Sequence, residues 1–462
     1  DVYAYAKYKL NAKKAFRENL GFCNKTDQFN IDDWNRYLGV ENPESLFKKF
    51  KQYESEDGYA FFPDYSLSMS GDTSTSRDLE FVVNMSIEHK FDVLGSGFKE
   101  INLTNSPGVC EDQVTRRKKE MAEQVAKLNN TCKLQNEIQF YSPIDWHLDS
   151  KTLKRWPDDK WYTDINPGDL GNSDIKMPWE VSRFHHAGPL GYYAFLNNDY
   201  NVAIELQIHI LDWIAANKLC RGVNWRNAME AGIRATNWLF AVSYLWKKNL
   251  VEQEFLCVFH KSLYEHAKYI SMNIEKNSFG ANNHYLCNLL GLIAIGAALP
   301  WCQESDKWLL YGRNEISQEM DNQVNSDGSH FEASTFYHRF VTEIFVACHR
   351  ILTSLPISRK NKLYATNDAS YETESLLPER YSQKLFGMIE FIKSISKPGN
   401  RMPQIGDNDS GRLFWLPLPF VKKDSVSVNW KLESYADLEG YCNKRLDKYK
   451  NTELGWSKKS SG

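Results

Sequence analysis

The chain has 462 residues, 42% of them hydrophobic, with a mean hydropathy of −0.55. That is enough to bury one large core or two ordinary ones. A formal net charge of −3 excludes a global field for steering nucleic acid or another polyanion, so an acidic ligand must be held by local groups. The aromatic share is 14%, with 14 Trp and 24 Tyr. Aromatic faces suit sugar rings, and they equally suit a large helical core.

Residues 1–110 form a mixed N-terminal segment of short helical stretches with an extended aromatic run at Tyr59–Tyr65, expected to pack on the rest of the chain. Asp112–Leu128 reads as a charged amphipathic helix whose Lys and Arg run is a solvated face. Residues 139–174 are rich in Pro, Gly, Asp and Trp and show little periodicity. From about residue 186 the pattern becomes helical hairpins: Asn201–Asn217, then Trp225–Trp246 capped by Asn224, Glu252–Asn273, Asn283–Leu299, a short helix near Arg313–Val324, Ser334–Ser354 and Gln383–Ile395. Several of these are apolar on more than one face, as helices packed on both sides must be. The pattern predicts a mainly α fold, an incomplete α/α toroid of antiparallel hairpins over 111–420, with residues 421–462 as a C-terminal linker. A solenoid would need a fixed repeat, and none is present.

The nine cysteines are scattered without a Cys-x-x-Cys pair, which argues against a disulfide framework and against a zinc site. Cys257, Cys287 and Cys348 fall in apolar helical runs and read as buried small hydrophobes. Leu289–Leu299, the longest apolar stretch, is too short to span a bilayer. The first residue is Asp1 rather than Met, which leaves room for a removed leader.

Two segments carry the chemistry. Gly280–Leu290 and Asp327–Phe340 each run from turn residues into a helical pattern, placing Asn282, Asn283 and His284 at one helix mouth and Tyr337 and His338 at another. A helix N-terminus attracts an anion, and Asn and His add donors. Capping alone also explains an Asn there, and Ser329-x-x-Glu332 has the spacing of a capping box. A cation beside Tyr337 would lower its pKa from about 10. Lys176–His186 is a dense mixture of Trp, Arg and His, and Glu230 is placed to pair with Arg234 one helical turn on. Pro403–Arg412 resembles half a calcium loop, but Leu418 stands where the twelfth-position acid belongs, so the segment is not an EF-hand.

Taken together, Phe91–Gly97, Lys176–His186, Gly222–Trp225, Asn282–His284, Asp327–His338 and Gly406–Arg412 resemble, in order, the heparinase II/III superfamily of polysaccharide lyases. The resemblance implies an α/α toroid followed by a β-sandwich, which is expected to be largely or wholly missing from these 462 residues. It implies β-elimination at a 4-linked uronate in an acidic polysaccharide, without an organic cofactor. Some relatives hold a metal in the sandwich, and none is expected in this chain. On the matching positions, Asn283 and His284 neutralise the uronate carboxylate and Tyr337 serves as acid or base. Trp179, Arg183, His185, Asn224, Trp225, His330, Glu332 and His338 are the candidate substrate contacts, with Trp179 and Trp225 able to stack on sugars. Asn288 departs from the family's usual Glu, and the family's further histidine is expected from the sandwich rather than from the toroid. The implied compartment is periplasmic or secreted, although unpaired cysteines also suit the cytoplasm. Heparan-type, alginate-type and bacterial capsular polymers remain open. The alternatives are an inverting hydrolase, which needs a carboxylate pair roughly 6.5–9.5 Å apart, and a silent glycan-binding protein. Glu180, Glu230, Glu332 and Asp407 are the acids from which such a pair would come.

Overall fold

The computed structural model describes residues 43–57, 73–126, 133–276, 281–302, 304–364, 376–398, 402–409 and 411–414. The aromatic run at 59–65 and the segment 421–462 lie outside them. Helices α1 (Pro43–Asp57) and α2 (Thr73–Ile87) lead to a hairpin of β1 (Lys90–Asp92) and β2 (Phe98–Glu100), in register through Phe91 opposite Lys99. Next come α3 (Glu111–Ala126), α4 (Lys133–Ile138) and a second small antiparallel ribbon, β3 (Leu148–Asp149) with β4 (Lys154–Arg155). The remainder is helical: α5 (Lys176–Ser182), α6 (Ala187–Asn197), α7 (Tyr200–Ala216), α8 (Ala228–Lys247), α9 (Gln253–Met272), α10 (Asn283–Ala298), α11 (Ser305–Gln323), α12 (Thr335–Ser354), α13 (Ile357–Tyr364) and α14 (Glu379–Ile395).

Helix neighbours alternate along the chain. Helices α6, α8, α10, α12 and α14 each pack on the next of that series, and α7 packs on α9 in a second layer. The hairpins α6/α7, α8/α9 and α10/α11 cross between the layers. This is the two-layered order of an incomplete α/α toroid. Helix α1 rests on α9, and α2 on α6.

A helix flanked on both sides cannot afford a polar stripe, which is why α8 and α10 are buried over nearly their whole circumference. Glycine lets them approach. A Cβ on Gly232 would run into the backbone carbonyl of Cys287, and one on Gly291 would meet the Cα of Gly232. Cys257, Cys287 and Cys348 are buried among these helices. No single helix among the described residues is long and apolar enough to cross a membrane.

Local details depart from the sequence expectations. Asn224 does not cap α8. It lies within a 3₁₀ turn, Val223–Trp225, and Asn227 occupies the cap position. Helix α11 begins at Ser305, a full two turns before the expected start, because its early turns are buried through Trp308, Leu309 and Gly312. The Ser329–Glu332 spacing is not a capping box: α12 starts at Thr335, and Ser334 Oγ accepts the Tyr337 N–H.

The close contact of α8 and α10 predicts that Gly232→Ala forces the two helices apart. The expected cost is about 1–3 kcal/mol from overpacking, measured as a fall in the denaturant midpoint, whereas Ala at the open Gly168 surface turn serves as a near-neutral control.

Candidate active site

The N-terminus of α10 forms one wall. Asn282 Oδ1 accepts the His284 N–H at 3.1 Å and so caps the helix, leaving the next residue free for other work. Asn283 is buried, and its backbone N–H and Nδ2 both donate to Glu332 Oε1, at 3.1 and 3.0 Å, with Nδ2 also 3.1 Å from Oε2. A carboxylate thus sits where helix dipole and amide donors favour an anion. Asn283 Oδ1 is buried without a hydrogen-bond partner.

His284 Nδ1 lies 3.0 Å from Glu275 Oε1. Burial lowers the His284 pKa, but the Glu275 hydrogen bond and charge outweigh it, and the net shift is upward. Glu275 is itself held by Asn288, which accepts its backbone N–H at 2.8 Å and donates from Nδ2 to Oε2 at 3.0 Å. An amide at 288 can do both; a glutamate there could only accept, and would repel Glu275.

The second wall is the first turn of α12. Tyr337 is half-buried and donates its hydroxyl proton to Asp409 Oδ2 at 2.9 Å. Asp409 pairs with Lys176 Nζ at 2.8 Å, and that hydrogen bond holds its carboxyl below the usual range. Burial and the Asp409 carboxylate raise the Tyr337 pKa, the reverse of the expected depression. The nearby ammonium is spent on Asp409 rather than on the phenol. The loop carrying Asp409 is stitched to the start of α12: Thr335 N–H donates to Ile405 O at 3.0 Å, Thr335 Oγ1 to Pro403 O at 2.6 Å and Ser334 Oγ to Asp407 O at 2.6 Å. Gly406, at φ +74, permits this approach, since a Cβ would meet Ala333 O and Ser334.

Between the walls stands Arg183, at the end of α5. Its Nε and Nη2 grip Glu230 in a two-pronged contact, 2.8 Å each, and Nη1 donates to Glu180. Its carbonyl accepts from Asn237 Nδ2 at 2.9 Å. Glu230 therefore pairs across elements rather than with Arg234, which donates to His266 Nε2 and stacks 3.8 Å over Trp213. Burial pushes the Glu180 carboxyl up to about 7 against the pull of Arg183, with Glu230 adding to the rise. His185 Nε2 lies 3.1 Å from Arg412 O, and burial drives its pKa down to about 3. Tyr337 feels the charges of both Glu332 and Arg183, and His284 those of Glu230 and Arg183, which makes the walls one electrostatic unit. A cleft beside them is lined by Phe91, Leu94, Glu180, His185, His186 and Arg412.

Of the eleven residues singled out from the sequence, Asn283, His284, Tyr337, Arg183, His185 and Glu332 come together here. The other five are scaffold. Trp225, at 1% exposure, has no free face for a sugar; its Nε1 donates to Asn217 O. Asn224 is fully buried and donates to Trp146 O and Asn217 Oδ1. Trp179 packs with Trp156, Ile165, Ile175 and Val223 and donates to Val223 O. His330 binds Gln323 Oε1 at 3.0 Å, and His338 turns away toward Met388 O of α14 at 3.1 Å. Burial pushes the pKa values of His330 and His338 down to about 3 and 4. Lys176, Asp409 and Glu275 were not singled out as site residues, and Glu180 was named only as a candidate acid for the alternative hydrolase. The acidic loop before Arg412 was the only cue to Asp409, and nothing local marked Glu275.

Residues 94–414 match the family described as Heparinase II/III N-terminus. A stretch of 242 residues is 24% identical to a heparin-sulfate lyase of Pedobacter heparinus, covering 51% of this chain and 33% of that protein. A heparin-sulfate lyase of Bacteroides stercoris is 22% identical over 254 residues, covering 51% and 35%. The chain thus matches about a third of the length of these curated relatives. Among solved structures, a heparan sulfate lyase from Pedobacter heparinus is similar with a TM-score of 0.38 and 19% identity, over 71% of this chain and 45% of that one.

The arrangement around Arg183 predicts two effects. Arg183→Met strands two buried carboxylates and should destabilise the fold by about 3–5 kcal/mol. Because the folded-state pKa of Glu180 is raised to about 7, the folded protein holds a proton that the unfolded chain releases. Stability should therefore fall as pH rises from about 4.5 through 7, by at most about 3 kcal/mol. In Glu180→Gln, melting temperature measured across that window should lose this slope.

Proposed function

Since the chain belongs to the heparinase II/III N-terminus family, we propose that it carries the toroid part of a polysaccharide lyase acting on a uronic-acid-containing polymer by β-elimination. The observation that carries this reading is the pairing of an anion-seeking amide, Asn283, with a protonated phenol, Tyr337, on neighbouring helix mouths.

In the proposed reaction the C5 proton of a 4-linked uronate passes to the Tyr337 oxygen as the Tyr337 hydroxyl proton passes to O4, the C5–H electron pair forms the C4–C5 double bond, and the C4–O4 bond breaks. C5 is weakly acidic until the adjoining carboxylate is neutralised. Asn283 Nδ2 has a second N–H beyond the one shared with Glu332, and that donor, beside the end of α10, meets the uronate carboxylate as enolate charge develops on it. Glu332 fixes the amide's orientation. His284, charged in part by Glu275, adds a donor to the same group. Tyr337, its pKa raised, is protonated at neutral pH, which is the state required to deliver a proton to O4. The electrons stay within the sugar and every proton transfer uses a side chain, so the reaction needs no organic cofactor.

The substrate class follows from how the cations are used. Lys176 and Arg183 are committed to carboxylates of the protein itself, so carboxylate recognition rests on the Asn283 amide, His284 and a helix end. This favours a sparsely sulfated polymer. The two curated relatives are heparin-sulfate lyases, which makes low-sulfated heparan-type chains the first to assay.

Incubation with a panel of uronate polymers should yield the ultraviolet absorbance of a conjugated 4,5-unsaturated uronate. New reducing ends without that absorbance would indicate a hydrolase, and neither signal a silent binder. Tyr337→Phe should lower the rate by about 10²–10⁴-fold and Asn283→Ala by about 10²–10³-fold, with both variants assayed well below their own melting temperatures. Full elimination activity in Tyr337→Phe would sink the assignment of Tyr337.

A further inference from the structure

Behind the cleft wall, a polar cluster in the core belongs neither to the proposed reaction nor to ordinary packing. Glu205 and His209 lie one turn apart on the same face of α7, and Glu205 Oε1 is 3.0 Å from His209 Nε2. His89 approaches from the turn between α2 and β1, placing its Nε2 3.5 Å from the same oxygen. One ligand-type atom from each of the three lies within 4.8 Å of the others. His209 is fully buried, His89 is 5% exposed, and the Glu205 side chain 22%.

Hydrogen bonding within the protein leaves the cluster incomplete. His89 Nε2 and His209 Nδ1 are buried without a hydrogen-bond partner. So is Nε2 of His186, whose ring centroid is 5.4 Å from that of His209. Buried polar nitrogens are rarely left unpaired, and an ion beside Glu205 Oε1 would give His89 Nε2 the partner it lacks. Aromatic rings close the surroundings: Tyr141 stands 5.1 Å from His89, and Phe91 4.6 Å from His186. His89 also adopts φ +52, a left-handed conformation uncommon outside glycine, and its carbonyl is held by the Ile101 N–H at 2.9 Å. The backbone thus departs from its preferred region at the residue that aims an imidazole at Glu205.

We propose that His89, Glu205 and His209 bind one divalent transition-metal cation, zinc fitting best, which pins the α2–β1 turn to α7. Two imidazole nitrogens and a carboxylate oxygen are borderline donors of the kind zinc takes, while calcium and magnesium prefer sets made only of oxygen. Donors at about 2.0–2.1 Å from a tetrahedral ion stand about 3.4 Å from one another, and the separations of 3.0 and 3.5 Å around Glu205 Oε1 need little adjustment. On binding, the His209 proton resides on Nδ1, freeing the Nε2 lone pair, and Glu205 balances part of the ion's charge. His186 packs beside the trio, its ring centroid 5.4 Å from that of His209, without being one of the three ligands. The pinned turn leads into Lys90–Gly95, which lines the cleft, so the ion would brace a wall of the site from behind without touching substrate.

The test uses purified protein stripped with a chelator and then titrated with zinc chloride, reading bound metal by mass spectrometry and melting temperature in parallel. One equivalent of zinc should bind, with a rise of about 2–5 °C at saturating zinc. His209→Ala and His89→Asn should each abolish both the stoichiometric zinc and the shift. Asn tolerates the left-handed turn at 89, so that variant keeps its fold and separates lost ligation from misfolding. Zinc uptake no greater than in His89→Asn, or a melting temperature indifferent to zinc, would overturn the proposal and leave the trio a hydrogen-bonded core cluster.

Discussion

The site depends on one buried guanidinium. Arg183 holds Glu230 with two hydrogen bonds and anchors its own carbonyl on Asn237, so the short helix α5 cannot shift against α8 without breaking all three, while a further bond to Glu180 stays within the end of α5. Two carboxylates share one cation. Burial, with the Glu230 charge adding to it, keeps a proton on Glu180 into the neutral range, and Arg183 is taken up by the two acids. A site proposed to bind a polyanion is thus internally over-supplied with acids, Glu180, Glu230, Glu275, Glu332 and Asp409 among them. In the proposed reaction a substrate carboxylate would meet Asn283, His284 and the N-terminus of α10 rather than Arg183 or Lys176.

The two helix mouths meet because the toroid makes every second helix a neighbour. Helices α10 and α12 are separated in sequence by the whole of α11, yet lie side by side, and their first turns carry Asn283 and Tyr337. The contact that draws them together polarises both residues. Glu332, just ahead of α12, reaches across to Asn283, while the loop ahead of Arg412 closes over Thr335 and places Asp409 on the Tyr337 hydroxyl. Glycine spacing between α8 and α10 fixes the layer on which this rests. Asn288 fits the same logic, since beside Glu275 an amide completes a reciprocal pair that a second acid would break.

Helix existence was legible in the sequence because apolar periodicity is local. Most helices from Asn201 to Ile395 appear where the pattern predicts them with ends moved by a few residues, while α11 starts two turns early and the short α13 was not foreseen. Where the reading went wrong, a distant partner decided the matter. Asn224 looked like a cap, but its amide is claimed by Trp146 and Asn217 in the core. Trp225 looked like a sugar platform, but Trp213, His266 and Tyr269 enclose it. Glu230 had a partner at helical spacing and took Arg183 instead, because that guanidinium offers a fork and Arg234 is turned onto Trp213.

What the sequence determined alone was the class of fold, the family motifs and the presence of Asn283, His284 and Tyr337 at helix starts. These depend on periodicity, caps and spacing, all of which act over a few residues. The tertiary structure decided which polar groups meet: Glu332 with Asn283, Asp409 with Tyr337, Glu275 with His284, and His89 with Glu205 and His209. Charges, tautomers and burial are set by neighbours brought from far along the chain, and a raised phenol pKa or a trio of buried donors is a property of that meeting rather than of any one segment.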